Sequence, residues 1–185
     1  PEAEAEGTSL TVRYGAITVE PRTPDVLRLL KGSVDLVHMA VHGKFDSTGT
    51  EDGIRMVDGQ YLSPLSISGV GGSAVRFAFL NACQLGSGTE VFGQYSGMAA
   101  AFLEIGAMAV IAPLWKVDDA VARNVAESFY SDVLARHNRT TPAEFFRKQR
   151  CATRGAEGTA ESTRMAYVFF GHPLLQVVWG GKRDD

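Results

Sequence analysis

Two apolar segments of this chain each stop at a residue that can do acid–base or nucleophilic chemistry. The run at 35–41 ends at His42-Gly43, and the run at 75–82 ends at Cys83. An imidazole, with an ordinary pKa near ~6.5, can accept a proton from a thiol, whose ordinary pKa is near ~8.5. The thiolate that results is a strong nucleophile. A histidine and a cysteine held together would therefore form a dyad able to attack a peptide carbonyl.

The segments that carry these residues are typical of strands buried on both faces. Continuous apolar runs of this length occur in parallel sheets covered by helices. Two further runs, at 107–112 and 166–170, have the same character, and amphipathic helical patterns separate them. Buried runs that alternate with helices predict an α/β fold with an open, mostly parallel sheet and helices on both faces.

Local signals place several boundaries. Thr23 before Pro24 predicts a helix N-cap, and Asp58-Gly59 predicts the turn of a hairpin. Segment 9–14 alternates weakly and is compatible with a strand or with the end of a helix. Residues 155–163 are small and polar and predict a loop.

The predicted topology gives the two reactive residues a common location. Functional groups in open parallel sheets collect beyond the carboxyl ends of the strands. Neighbouring strands lie about 4.8 Å apart, so His42 and Cys83 would meet if their strands pair in parallel. The backbone N–H groups of Gly43 and Cys83 would then be available to a developing oxyanion. The alternative from spacing alone is a small buried cysteine and an ordinary loop histidine.

Composition excludes several classes of function. The chain has 185 residues, 45% of them apolar, and a net charge of −3, which fits one globular domain over 1–185. No dense Lys/Arg block is present, so we expect no direct binding of nucleic acid. No apolar run is long enough to span a bilayer, and no signal-peptide pattern opens the sequence, so no membrane partner is expected. Two cysteines favour a reducing compartment, the cytoplasm, with a single disulfide between them as the alternative.

An ordered set of motifs resembles the CHAT family, which are caspase-like cysteine peptidases of the clan that includes caspases, separase and gingipains. The matching stretches are "DLVHMAVHGKFD", "FAFLNACQLG", "GMAAAFLEIGAMAVIAPLWKVDDAVA", "FYSDVL" and "AYVFFGHP". They occur in the family's order and cover most of the chain between Pro24 and Pro173. The resemblance implies a caspase-like α/β sheet, a protein substrate, and no requirement for a metal or an organic cofactor.

The resemblance also assigns roles to individual residues. His42 matches the general base and Cys83 the nucleophile, and the amides of Gly43 and Cys83 match the oxyanion-hole donors. The S1 pocket, which takes the side chain before the cleaved bond, maps to Asn81 and to the segment from Trp115 to Asp118.

The family context implies a setting for this chain. CHAT domains are commonly the C-terminal part of longer bacterial proteins, so we expect a preceding sensor or repeat region and a role in defence or cell-death signalling. Family members usually have a further strand before this segment. Either it lies outside these residues or 9–14 takes its place.

Other interpretations remain beside the peptidase. A caspase-like domain that only binds partners and has no activity would retain the same fold. A flavodoxin-like nucleotide-binding module is disfavoured because no glycine-rich phosphate loop follows an early strand. His38 is too far along the strand from His42 to share a metal, about 13 Å, and is expected to be structural.

Acidic residues near the motifs also have two interpretations. Helix capping explains Asp118, with a substrate-facing carboxylate as the alternative. Asp46 is expected to be a solvated surface residue, with orientation of the His42 imidazole as the alternative.

Overall fold

A computed structural model of the chain describes residues 2–44, 53–83, 91–135, 140–153 and 158–178, and at 42–44, 82–83 and 91–96 it describes the backbone. These residues form a six-stranded sheet. Its strands are β1 (Leu36–Lys44), β2 (Gly53–Arg55), β3 (Tyr61–Leu62), β4 (Phe77–Cys83), β5 (Ala109–Pro113) and β6 (Tyr167–Gly171).

The centre of the sheet is parallel and its edges are antiparallel. The strand order is β3-β2-β1-β4-β5-β6. Strands β1, β4 and β5 run parallel, whereas the β2–β3 hairpin and β6 pair antiparallel on opposite sides. The predicted α/β class, with an open and mostly parallel sheet, is confirmed.

Helices cover both faces of this sheet. They are α1 (Glu2–Tyr14), α2 (Thr23–Lys31), α3 (Pro64–Ser68), α4 (Val91–Glu104), α5 (Asp119–Val133), α6 (Pro142–Thr153) and α7 (Thr159–Ala166). Apolar residues of α2, α3 and α4 form one core with the sheet, and those of α1, α5 and α6 form the other. Among the described residues, no helix combines the length and apolar character that crossing a membrane requires.

Alternation along the strands divides the side chains between the two cores. In β4, Ala78 and Leu80 pack with the α2/α4 core, whereas Phe77 and Phe79 pack with the α5/α6 core. This is the period of two that a strand covered on both faces requires. Asn81 follows in the same series as Phe77 and Phe79, so it lies on the α5 face.

The α5 face is dominated by aromatic side chains. Phe129 of α5 meets Phe79 edge to face at 5.2 Å and stacks on Phe77 at 5.9 Å between ring centroids. Rings packed in these geometries add to the stability gained from burial alone. This packing holds α5 against β4 and sets the position of the adjacent Tyr130.

The structure decides between the two alternatives for segment 9–14 and differs from two other local predictions. Segment 9–14 is the end of helix α1, as one alternative predicts, so it does not replace the strand that precedes this segment in the family. The predicted polar loop at 155–163 is wrong from Thr159 onward, where α7 begins; its Ser and Thr residues concealed the helical stretch. The strand predicted at 166–170 exists as β6, but at an antiparallel edge where Tyr167 alone is fully buried among 167–171.

The predicted cap of α2 comes from a different residue. Thr23 is the first helical residue, and the preceding Arg22 makes no side-chain cap. Instead, Asp58 Oδ2 accepts the Thr23 backbone N–H at 3.0 Å. Its other oxygen, Oδ1, accepts the Gln60 backbone N–H at 3.1 Å within the predicted hairpin turn, where Gly59 has a φ of 79°. One carboxylate thus joins the β2–β3 turn to the start of α2.

Replacing Asp58 with Ala should therefore lower the free energy of unfolding by about 1–2 kcal/mol, since two backbone donors lose their acceptor. Urea unfolding measures this. The matched control is Asp25→Ala, which removes an exposed pair with Arg28 on the same helix and should cost roughly 0.5 kcal/mol or less. Equal costs for the two variants would show that Asp58 does not join the turn to the helix.

Candidate functional site

The backbone brings His42 and Cys83 together at the carboxyl ends of adjacent strands. Strands β1 and β4 pair in parallel from Leu36↔Phe77 to the final pair, His42↔Cys83. The two Cα positions are therefore direct neighbours at one edge of the sheet, separated by about one strand spacing, roughly 4.8 Å. Gly43, the next residue of β1, pairs with Ile54 of the antiparallel hairpin. Asp46 lies outside the described residues.

Two residues before Cys83 on β4, Asn81 is buried and its side chain is fully hydrogen-bonded. Its side chain is 4% exposed. The amide Nδ2 donates to both carboxylate oxygens of Glu6, each at 2.9 Å. Its Oδ1 accepts the hydroxyl of Tyr167 in a short hydrogen bond. Asn81 thus joins β4 to α1 on one side and to β6 on the other.

A second strand residue contacts the same carboxylate. The Nε2 atom of His38 lies 2.7 Å from Oε1 of Glu6. The angles fall outside those of a hydrogen bond, so this contact is a close electrostatic approach, and Nε2 has no hydrogen-bond partner among the described residues. On the other side of the ring, Nδ1 is hydrogen-bonded to the Tyr130 hydroxyl at 2.9 Å. His38 is therefore a structural residue, as the sequence predicts.

We call Glu6, His38, Asn81, Tyr130 and Tyr167 the buried polar cluster. Its members come from α1, β1, β4, α5 and β6. Glu6 is 2% exposed, although it carries an acidic side chain. A buried carboxylate is tolerated only when donors or charges replace its water, and the two hydrogen bonds from Asn81 do so here.

Electrostatics around the cluster follow from this burial. Loss of solvent raises the pKa of Tyr130 well above its ordinary value, and the negative charge of Glu6 raises it further. Tyr130 is therefore a neutral hydroxyl at physiological pH, able to donate to or accept from His38.

Trp115 and Asp118 lie in the segment that follows β5, at the same edge of the sheet as Cys83. The Trp115 indole N–H donates to the carbonyl and the hydroxyl oxygen of Ser162, both at 3.2 Å. The Asp118 carboxylate caps α5 by accepting the Val121 N–H at 3.0 Å, as predicted. Its own N–H donates to Thr163 Oγ1 at 2.9 Å. Helix α7 thus fixes this segment, whereas the contacts of Trp115 and Asp118 with a substrate stay predictions.

Sequence reasoning missed Glu6, Tyr130 and Tyr167. The opening "PEAEAEG" by itself is compatible with a linker or a helix end, whereas the structure places Glu6 and Leu10 one helical turn apart and both buried. That spacing, with Leu10 apolar, was the available signal. The two tyrosines lie in segments predicted as helix and strand, but nothing local marks their hydroxyl groups as buried.

A metal is not part of the described arrangement. The described residues contain no group of three or more His, Cys, Asp or Glu side chains that could hold an ion. Cys151, the other cysteine, is a free and exposed thiol on α6.

Comparisons with known proteins bear on the fold and family. A model of the CHAT domain family matches residues 5–165. A solved complex of the pro- and mature domains of RgpB from Porphyromonas gingivalis is similar with a TM-score of 0.64 and 16% identity, over 95% of this chain and 43% of that one. The Arg-specific cysteine proteinase gingipain R is similar with a TM-score of 0.64 and 18% identity, over 95% of this chain and 42% of that one. No curated protein sequence matches the chain.

At 16% and 18% identity, these two solved structures support the fold of this chain and nothing beyond the fold. The chain spans less than half the length of either of them.

Tyr130→Phe tests the electrostatics of the cluster. Above pH ~10 the unfolded state ionises Tyr130 while the folded state keeps it neutral, so the unfolded state binds fewer protons and stability falls as pH rises. Ionisation of Tyr130 changes the free energy of unfolding by at most about 1.4 kcal/mol per pH unit, and the Phe variant lacks this pH dependence. Urea unfolding at about pH 9 to 11 should show the advantage of the native chain over Tyr130→Phe shrinking as pH rises. A constant difference would mean that burial does not hold this hydroxyl neutral.

Proposed function

Because the chain belongs to the CHAT-domain family of caspase-like cysteine peptidases, we propose that it is a cysteine endopeptidase with His42 and Cys83 as its catalytic dyad. The observation that carries this proposal is the register of the sheet. The last pair of the parallel β1–β4 ladder is His42↔Cys83. The base and the nucleophile that the chemistry requires are therefore paired residues. They lie at the edge of the sheet where parallel sheets bind ligands.

The proposed reaction begins with proton transfer. The His42 imidazole takes the Cys83 thiol proton, and the thiolate attacks the carbonyl carbon of the scissile peptide bond. The backbone N–H groups of Gly43 and Cys83 stabilise the negative charge that develops on the carbonyl oxygen. His42 then gives its proton to the departing amine, the C–N bond breaks, and a thioester remains on Cys83.

Hydrolysis of that thioester completes the cycle. His42, now neutral, takes a proton from an incoming water as its oxygen attacks the acyl carbon. The C–S bond breaks, the carboxylic acid product leaves, and the proton on His42 returns to the Cys83 sulfur. Every proton in the cycle passes through one imidazole, and the proposed chemistry requires no further redox or metal step.

Substrate recognition is proposed for Trp115 and Asp118, which would border the S1 pocket, and for Asn81, which would support the pocket from within the sheet because its side chain is buried and bound to Glu6 and Tyr167. Support comes from their positions, since Asn81 precedes Cys83 by two residues and the Trp115–Asp118 segment leaves the neighbouring parallel strand β5. A carboxylate at Asp118 would favour a basic side chain before the cleaved bond. The substrate is proposed to be a protein, with the enzyme in the cytoplasm and a preceding sensor region controlling it in bacterial defence.

A thiol-directed probe on the full-length protein tests the dyad. We use a mixture of peptidyl acyloxymethyl ketones that differ at the residue before the reactive carbon, followed by mapping of the modified residue. Cys83→Ala should abolish labelling, and His42→Ala should slow it by a factor of about 10² or more. Cys151→Ser is the matched control, because it removes the exposed thiol of α6 and should leave labelling unchanged.

The same variants separate the peptidase from a binding domain without activity. Cleavage of candidate partner proteins should require both His42 and Cys83. If Cys83→Ala cleaves a partner at the native rate, or if no probe labels the native protein in its activated state, the peptidase proposal is wrong and the binding-domain alternative takes its place.

A further inference from the structure

We propose that Glu6 is a positioning residue for the dyad: its buried carboxylate holds His38 of β1 and Asn81 of β4, and thereby the strand ends that carry His42 and Cys83. This inference rests on the proposed function. It concerns a residue of α1, which contributes no group to the chemistry itself.

Burial of the Glu6 carboxylate has an unusually high free-energy cost. Glu6 is 2% exposed, whereas the neighbouring acidic residue Glu2 pairs with Arg123 at the surface. Burying an ionised carboxylate costs several kcal/mol unless donors replace its water. Packing alone would be satisfied better by an apolar residue at this site, as at Leu10 one turn later. A role that requires the carboxylate itself explains why an acid stands here.

The Glu6 carboxylate contacts partners on two different strands. Its two oxygens both accept from Asn81 Nδ2, and Oε1 also lies 2.7 Å from His38 Nε2. One partner belongs to β1 and the other to β4, the two strands whose last rung is His42↔Cys83. Glu6 therefore bridges the same two strands that the dyad bridges, shortly before they end.

The two residues that Glu6 contacts lie only a few positions along the chain from the reacting residues. Asn81 is two residues before Cys83, and His38 is four residues before His42. Beyond the Ala40↔Asn81 rung the parallel ladder has two pairs left, Val41↔Ala82 and His42↔Cys83. The bridge thus lies close to the dyad along both strands, and freeing it would allow the strand ends to separate or twist.

The outer members of the buried polar cluster fix the bridge in turn. Tyr130 of α5 holds His38 Nδ1, and Tyr167 of β6 donates to Asn81 Oδ1. Each partner of Glu6 is therefore held from two sides, which restricts its rotamer. Catalysis requires reacting groups to be held in place to within a fraction of an ångström, on the order of 0.5 Å. Side chains whose rotamers are fixed by hydrogen bonds on both sides can provide this precision.

The test measures alkylation of Cys83 by iodoacetamide, because this reaction depends on the dyad and needs no substrate recognition. The full-length protein carries Cys151→Ser so that the exposed thiol does not react, and mass spectrometry follows Cys83. At about pH 6.5 a free thiol is largely unreactive, so rapid alkylation there reports the imidazole-assisted thiolate. His42→Ala in the same background gives the rate without assistance.

Glu6→Gln should lower the alkylation rate at about pH 6.5 by roughly tenfold or more and move the pH profile toward that of His42→Ala. The matched control, Glu2→Gln, makes the same change on the same helix at the surface and should stay within about twofold of the native rate. Circular dichroism and thermal melting confirm that both variants are folded under the assay conditions.

An exchange variant separates positioning from stability. Glu6→Gln combined with Asn81→Asp moves the carboxylate to β4 and the amide donor to α1, and the new carboxylate can still accept from Tyr167. Alkylation should recover by at least about threefold over Glu6→Gln alone, because the amide–carboxylate pair between α1 and β4 is restored with its partners reversed. A double variant no faster than the single one would overturn the inference.

The outcomes distinguish this inference from the proposed function. If the native profile is the same as that of His42→Ala, no dyad operates and both proposals fall. If the pH profile of Cys83 alkylation in the native protein depends on His42, and the Glu6→Gln variant has the same profile as the native protein, the dyad is supported and Glu6 has no positioning role. If Glu6→Gln does not fold, Tyr167→Phe carries the test, since it frees Asn81 on its other side while keeping the ring; an unchanged profile then overturns the inference.

Discussion

The parallel pairing of β1 with β4 is the constraint on which the rest of the site depends. Their ladder is in register from Leu36↔Phe77 to His42↔Cys83. A strand's side chains alternate between faces, so a slip of one residue would exchange both cores as well as separating the two reactive positions. Register is therefore fixed by burial over the whole strand, and the alignment of His42 with Cys83 follows from packing far below the edge where they lie.

The buried polar cluster, which lies within an aromatic core, also stabilises the register of β1 with β4, and does so more specifically than apolar packing. Apolar packing tolerates small shifts between strands, whereas hydrogen bonds between buried groups do not, since an unpaired buried donor or acceptor costs about 1–3 kcal/mol. The contacts of Glu6 with Asn81 and His38 tie α1, β1 and β4 together at one point. Tyr130 and Tyr167 extend these contacts to α5 and β6, so five elements of this face meet just before β1 and β4 end.

The sequence predicts the parts of this site that local patterns encode. Apolar runs ending at His42 and at Cys83 were sufficient to predict two strands, their exits and the α/β class, and Asp118 before an amphipathic segment was sufficient to predict a cap. The buried polar cluster has no such pattern, because Glu6 and Asn81 are 75 positions apart and His38 and Tyr130 are 92 positions apart. Contacts of that range depend on the assembled tertiary structure. For the same reason the Thr23 cap was wrong, since Asp58, 35 positions away, provides the acceptor.

The measurement that tests the central claim most directly is a crystal structure of the full-length protein with a peptidyl inhibitor bound covalently. We expect a bond from the inhibitor to the Cys83 sulfur, a His42 imidazole nitrogen within hydrogen-bond reach of the leaving-group position, and the inhibitor's oxyanion directed at the N–H groups of Gly43 and Cys83. Coordinates with the His42 and Cys83 side chains on opposite faces of the sheet, or with the inhibitor attached elsewhere, would contradict it.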